Sequence, residues 1–393
     1  MEYSDDAAAE VDSVVKDAET LLSARFGGTP VLSDPEVLTG QSNALVVRVR
    51  VATNPFMQER TVVVKQIPTM TEGVDPAVLR EVVAYQFINT LPDDVRPGPQ
   101  LLAYDVSKQL LVLSDVGVVD TLADVLFRGD EERRLRAFRS LGASLGRMHI
   151  HTHTREEGFE TLRRRMWVKN KVDREALEAR DHGIVSGIRF GMRAIEGSGI
   201  PVPDAVRSFG EDAARRIEKG THRAFTPFDL APDNILLADK VQFLDYEWAG
   251  YRDVIFDVAS VVAGFPLHVF VERPSEAEVD AFVRAWMEEI RDHWYRDTSD
   301  RRMMAFIAAA LLGWFFISAT VSVFGSPKQA LWVGHEGRTD LKPEVGGSAL
   351  ERRDMANTAR AIAQFAHRCE DDRADELEKF AHAVIDFLEQ EEG

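Results

Sequence analysis

Residues 226–260 read TPFDLAPDNILLADKVQFLDYEWAGYRDVIFDVAS. Within this stretch, Asn234–Ala238 and Val241–Asp245 have the character of two short β-strands joined at Asp239-Lys240. A two-residue turn would set Asn234 opposite Asp245 in an antiparallel pair. The preceding loop brings Asp229 to a point five residues before Asn234, so three oxygen-bearing side chains are expected to converge at one end of a hairpin. Hard divalent cations such as Mg2+ take oxygen ligands, commonly one or two carboxylates plus substrate phosphates. A third carboxylate could orient an attacking hydroxyl or accept its proton. A solvated surface hairpin satisfies the same residues, and the stretch alone leaves both readings open.

Upstream, Val11, Val14, Val15, Ala18, Leu21 and Leu22 recur at helical spacing. The runs 44–52 (ALVVRVRVA) and 61–67 (TVVVKQI) are rich in β-branched residues and partly alternate, as strands do. A helical stretch over 76–91 and two short strands, 101–104 and 109–114, complete a small unit ending near residue 115. From 116 to 393 the periodicity is mostly helical, for example Leu135, Phe138, Leu141, Leu145 and Met148. Leu377, Phe380, Ala381, Val384, Phe387 and Leu388 repeat the pattern near the end. The fold class expected is α+β, with a β-rich part at 1–115 and a helical part at 116–393.

These features together resemble the aminoglycoside phosphotransferase/choline kinase family, small-molecule kinases with a bilobal, protein-kinase-like fold. The family's catalytic loop, His-Gly/Asn-Asp-x4-Asn, is followed by a hairpin carrying a metal-binding Asp. Asp229 and Asn234 match the loop, Asp245 matches the hairpin Asp, and Asp257 in FDVAS matches the residue that braces the loop. Lys65 in VVVK resembles the strand lysine that grips nucleotide phosphates, and Glu81 in LREVVAYQF stands where a helical Glu would pair with it. Gly40, Ser42 and Asn43 in TGQSNA resemble the loop over the phosphates. Ser114 ends a strand, LLVLSDVG, similar to the one entering the interlobe hinge, and LGRMH at 145–149 is similar to the family's helix ending in Leu-His.

The resemblance implies transfer of the γ-phosphate of ATP or GTP to a hydroxyl of a small molecule. Asp229 would act as catalytic residue and Asn234 and Asp245 as Mg2+ ligands. Gly40, Ser42, Asn43, Lys65, Glu81 and Ser114 would contact the nucleotide. Glu247-Trp248 is close to the Asp-x-Glu-aromatic pattern of choline and ethanolamine kinases, and a carboxylate beside an aromatic face suits an ammonium group. Packing of Trp248 under the hairpin is the alternative. One departure stands out: Pro227-Phe228 occupies the place of His-Gly or His-Asn. A catalytically weak or inactive nucleotide-binding module is therefore the second reading. A protein kinase fits less well, because no Ala-Pro-Glu follows Asp245.

Composition narrows the partners. Lys+Arg 47 against Asp+Glu 65 gives a net charge of −18 over 393 residues, which excludes the basic footprint of a general nucleic-acid binder. With a single cysteine, Cys369, neither an internal disulfide framework nor a multi-cysteine zinc site is available. The acidic, polar start lacks the pattern of a secretory leader, and a cytoplasmic location is expected. The excess of Arg over Lys resembles a GC-rich bacterial coding bias.

Three stretches remain. Residues 303–327 carry no charge and are long enough to span a bilayer, yet Gly313, Ser318, Thr320 and Ser322 make a buried core helix the expected reading. His149, His151 and His153 alternate, as metal ligands on an extended segment would, but a helix end with solvated histidines is the preferred reading. His293, Trp294 and Tyr295, near Phe282 and Trp286, are expected in the helical core rather than in an acceptor cleft.

Overall fold

A computed structural model of the chain describes residues 5–38, 44–68, 73–268, 272–294, 299–327, 330 and 345–390. Gly40, Ser42 and Asn43 lie outside them, as does most of 325–347. The architecture is α+β, and the chain divides into two compact units. The first comprises residues 1–120, 157–172 and 236–249, and the second comprises 121–156, 173–235 and 250–393.

In the first unit a helix, α1 (Asp5–Phe26), precedes a five-stranded antiparallel sheet. Its strands are β1 (Leu32–Val37), β2 (Leu45–Val51), β3 (Thr61–Gln66), β4 (Leu101–Asp105) and β5 (Leu110–Ser114), in the order β1-β2-β3-β5-β4. Val11, Val14, Ala18 and Leu22 of α1 are buried in one core with Val47, Val49, Val62, Val64 and Val112 of the sheet. Because side chains alternate along a strand, Val62 and Val64 fill that core while Val63 and Lys65 point to the opposite face. The register sets Lys65 between Val46 of β2 and Leu111 of β5.

β1 was not expected from the sequence. LSDPEV has four exposed residues and a proline, and its pairing with β2 shifts between Ser33 and Glu36. An edge strand tolerates this, since only one side of its backbone is paired.

The helix α2 (Pro76–Ile88) starts on Asp75, whose carboxylate accepts the Ala77 N–H at 2.8 Å, with Pro76 at the first helical position. Two later segments complete this unit, where a single cut at 115 would have left them out. Most of α5 (Glu156–Asn170) is one, with Phe159 edge-on to Phe87 at 5.4 Å. The other is a hairpin of β7 (Ile235–Leu237) and β8 (Val241–Phe243), tied down by Phe243 N–H donating to Pro97 O at 2.7 Å.

That hairpin is shorter than expected, three residues a side instead of five. Asn234 closes a 3-10 turn over Pro232–Asn234, and Asp245 lies beyond β8 in a left-handed conformation, φ 57°. Proline at the first turn position favours that turn over extended backbone, and the left-handed residue ends the strand.

The second unit is mainly helical. Its helices are α3 (Leu122–Arg128), α4 (Glu131–Thr152), α6 (Arg174–Gly197), α7 (Asp204–Lys219), α8 (Ile255–Ala263), α9 (Glu276–Trp294), α10 (Asp300–Phe324), α11 (Ala349–Arg368) and α12 (Ala374–Gln390). One small antiparallel pair, β6 (Arg223–Thr226) with β9 (Gly250–Asp253), crosses them.

The apolar run at 303–327 is the core helix α10. By length and composition it could cross a membrane, yet 78% of its most apolar window is buried. Gly191 of α6 lets the two backbones approach so closely that a Cβ there would stand 1.9 Å from Phe316 O. Phe282 and Trp286 are fully buried on α9, His293 is exposed, Trp294 is half-buried, and Tyr295 lies outside the described residues.

Candidate active site

In the first unit, the sheet face opposite α1 brings the Lys65 ammonium together with two carboxylates. Lys65 Nζ donates to Glu81 Oε1 at 2.8 Å and lies 3.1 Å from Asp245 Oδ1. The alternation of β3 aims Lys65 there, α2 presents Glu81 from a fully buried position, and the left-handed Asp245 turns its carboxylate toward the same ammonium. Burial alone would lower the Lys65 pKa, but the charges of Glu81 and Asp245 outweigh it and hold the ammonium protonated. Burial pushes the Glu81 carboxyl up to about 7, partly offset by Lys65, because one cation serves two carboxylates. Glu81 Oε2 is buried without a hydrogen-bond partner among the described residues, while the Asp245 side chain keeps a quarter of its surface exposed.

The loop after β6 belongs to the second unit. Thr226 pairs with Gly250, and its hydroxyl donates to the Gly250 carbonyl at 3.2 Å. Phe228 then takes a left-handed φ of 68°, unusual for a bulky residue. Its buried ring stacks on Trp314 at 4.9 Å and on Phe256 at 6.4 Å, with the Arg252 guanidinium 4.8 Å from its centroid. Asp229 follows, half-buried, with its Oδ1 3.0 Å from His268 Nε2. Asn234, also half-buried, donates its backbone N–H to Ala231 O at 2.9 Å.

Asp257, at the start of α8, is completely buried, with Oδ2 3.2 Å from His149 Nε2. Trp286 Nε1–H donates to His149 Nδ1 at 3.1 Å. An indole has only a donor, so Nδ1 must accept, and Nε2 carries the proton given to Asp257. Burial pushes the Asp257 carboxyl up, countered by His149, by Arg252 and by the Phe228 backbone N–H. This corrects the expectation of a solvated side chain at His149, while the helix end and the exposed His151 are as expected. The three lie on or just after α4, His149 inside the fold, with His151 and His153 turned onto the carbonyls of Arg147 and Ile150. Among the described residues no cluster of three or more His, Cys, Asp or Glu side chains could hold a metal ion.

Residues 36–297 match the sequence profile of the Phosphotransferase enzyme family (APH). The chain belongs to that family. Similar solved structures include the choline kinase of Streptococcus pneumoniae, at 12% identity and a TM-score of 0.46, covering 90% of this chain and 99% of that one. A choline/ethanolamine kinase family protein of Mesorhizobium loti is 14% identical with a TM-score of 0.45, covering 97% and 98%. The ternary complex of APH(2")-IIa with streptomycin and ATP is 10% identical with a TM-score of 0.44, covering 86% and 96%. Among curated proteins none matches the chain.

In this member of the phosphotransferase family, Ser114 extends the β4–β5 pairing. Its N–H donates to Gln100 O, and its hydroxyl accepts the Gln100 N–H, each at 2.8 Å. Glu247 and Trp248 occupy a turn and are half-buried. The sequence reading missed His268. It lies 39 residues after Asp229, and nothing in GFPLH marks it as a partner of that loop.

Proposed function

We propose that this family member transfers the γ-phosphate of ATP, or GTP, to a hydroxyl of a small, amine-bearing molecule. The observation that supports the reading best is the Lys65 ammonium shared by Glu81 and Asp245 in a chain of the phosphotransferase family. In this reading Lys65, held by Glu81, meets the nucleotide phosphates, Gly40, Ser42 and Asn43 cover them, and Ser114 lies along the nucleotide. Asp257 braces the loop through the Phe228 backbone. Asp229 faces the acceptor. As the acceptor oxygen bonds to the γ-phosphorus and the bond to the ADP oxygen breaks, the hydroxyl's proton passes to the Asp229 carboxylate.

Asn234 and Asp245 are the residues that would hold Mg2+. Two protein oxygens suit an ion that completes its shell with phosphates and water. When bound, Mg2+ neutralises charge on the phosphate oxygens. The half-buried Glu247-Trp248 turn offers a carboxylate and an aromatic face to an acceptor ammonium, as choline-, aminosugar- and aminoglycoside-like molecules carry. A small-molecule acceptor, a cytoplasmic setting and no nucleic-acid or membrane partner agree with the −18 charge and the buried α10.

The test is ADP release from Mg-ATP with and without aminoglycosides, amino alcohols, amino sugars and macrolides, with Asp229→Ala as the blank. Stimulation by one class, lost in the variant, is expected. Transfer that survives Asp229→Ala would sink the assignment. The second reading, a nucleotide-binding module without turnover, draws on Pro227-Phe228 and would give Mg2+-dependent nucleotide binding with no ADP above the blank.

A further inference from the structure

Asp229 lacks the histidine that precedes the family's catalytic Asp, but an imidazole reaches it from elsewhere in the same unit. The chain leaves α8 at Gly264 (φ 93°) and passes through two further left-handed residues, Phe265 (63°) and Leu267 (74°), to His268. Phe265 is fully buried, and its N–H donates to Ser260 O at 2.8 Å. The Leu267 N–H donates to Asp354 Oδ2 of α11 at 3.1 Å, and the His268 N–H donates to Phe265 O at 3.0 Å. Both partners thus follow a left-handed non-glycine residue: Phe228 before Asp229, Leu267 before His268. Each such residue is strained and persists only where its surroundings enforce it. Here the stacked rings hold one and the Asp354 carboxylate holds the other. Two strained segments meet at one 3.0 Å contact.

We infer that His268 is a positioning residue for Asp229, its Nε2–H donating to Oδ1 so that Oδ2 is left to face the acceptor hydroxyl. This rests on Asp229 being the residue that faces that hydroxyl. The charged groups facing His268 are Asp229, Asp233 and Asp354, and against its burial they favour the imidazolium. Phosphoryl transfer is governed by positioning and charge stabilisation more than by base strength. The protonated ring, which makes the stronger, charge-assisted bond, is therefore the more active form.

The test pairs a titration with kinetics. Imidazole NMR of the full chain should show His268 titrating above the ordinary value near 6.5, and lower in Asp229→Asn than in wild type. An unchanged titration in that variant overturns the pairing. For ADP release from Mg-ATP with water as acceptor, His268→Ala should lower kcat roughly ten- to a hundredfold, the worth of one charge-assisted hydrogen bond, with KM for ATP within about twofold. His268→Gln, which keeps an N–H donor but cannot titrate, should recover part of kcat and lose the decline of kcat above neutral pH. If His268→Ala retains kcat and its pH profile while Asp229→Ala is inactive, the positioning role fails and the phosphotransferase reading stands. If Asp229→Ala is as active as wild type, the reading of the loop fails and the inference with it. If the wild type releases no ADP with water or with any of the acceptor classes named above, the phosphotransferase reading fails, and the titration alone decides the pairing.

Discussion

The Lys65 ammonium lies 3.1 Å from Asp245 Oδ1 while it also donates to Glu81 at 2.8 Å. One cation thus neutralises two carboxylates drawn from a helix and from the turn after a hairpin. Asp245 is the exposed member of the pair and Glu81 the buried one. An arriving cation would compete for Asp245 without disturbing Glu81.

Asp245→Ala is therefore expected to abolish Mg2+-dependent nucleotide binding while leaving the Lys65–Glu81 pair in place. Calorimetric titration of ATP with and without Mg2+ checks it. An affinity and Mg2+ dependence equal to wild type would remove Asp245 from the ligand set.

His149→Ala strips the buried Asp257 of its imidazole partner and removes the ring nitrogen that accepts the Trp286 N–H. A loss of roughly 2–4 kcal/mol in unfolding free energy is expected, since a buried charge loses its hydrogen bond. Asp257→Asn, whose amide oxygen still accepts from Nε2, should cost only about 1 kcal/mol. Urea unfolding distinguishes the two, and equal losses would mean that the imidazole does not matter to Asp257.

Stability should fall as pH rises through two windows. Burial pushes the Asp354 carboxyl up to about 6, so the native chain holds that proton more tightly than the unfolded one. The stability it adds is present at low pH and is lost between about 4 and 6. The His268 pKa is raised above its ordinary value by Asp229, Asp233 and Asp354 in spite of burial. Its contribution is complete below about 6.5 and is lost as pH climbs through the native value. In melting curves from pH 4 to 9, Asp354→Asn should flatten the first window and His268→Gln the second. Variants that track the wild type at every pH would contradict both.

Two glycines one helical turn apart should behave in opposite ways. Gly191→Ala drives a methyl against Phe316 O, 1.9 Å from the ideal Cβ, and overpacking of a helix crossing costs at least about 2 kcal/mol. At Gly187 the nearest atom is Thr320 Cγ2 at 4.0 Å. Alanine there is expected to be neutral, or to stabilise by up to about 1 kcal/mol through helix propensity. Thermal denaturation of both variants is the check. A Gly191→Ala protein as stable as wild type would show that α6 and α10 pack less closely.

The β-branched alternation of TVVVKQI is enough to announce β3, its buried face and the outward Lys65, and the helical period of the segment at 76–91 carries Glu81 with it. The same logic fails for β1, because an edge strand with Pro35 and three charged or polar neighbours has no hydrophobic period to read. It overextends the hairpin because local β propensity in NILLA does not register the turn that Pro232 starts. His149 carries a helix-end signal, yet its burial depends on Trp286 and Asp257, 137 and 108 residues away. His268 carries no signal, since its meeting with Asp229 depends on backbone conformations that glycine would announce but phenylalanine and leucine conceal.

Phe228 also has a consequence for how substitutions combine. Phe228→Gly would relieve its left-handed backbone but surrender the stack on Trp314, whereas Trp314→Leu removes the stack and leaves the strain behind. Neither single change measures one effect, and their sum exceeds the double change, because the shared ring contact is counted twice. Across a double-mutant cycle the two positions should be coupled by about 1 kcal/mol or more. Residue 228 and helix α10 then form one unit of selection, in which the ring on the loop is tolerated only while the indole beneath it is kept.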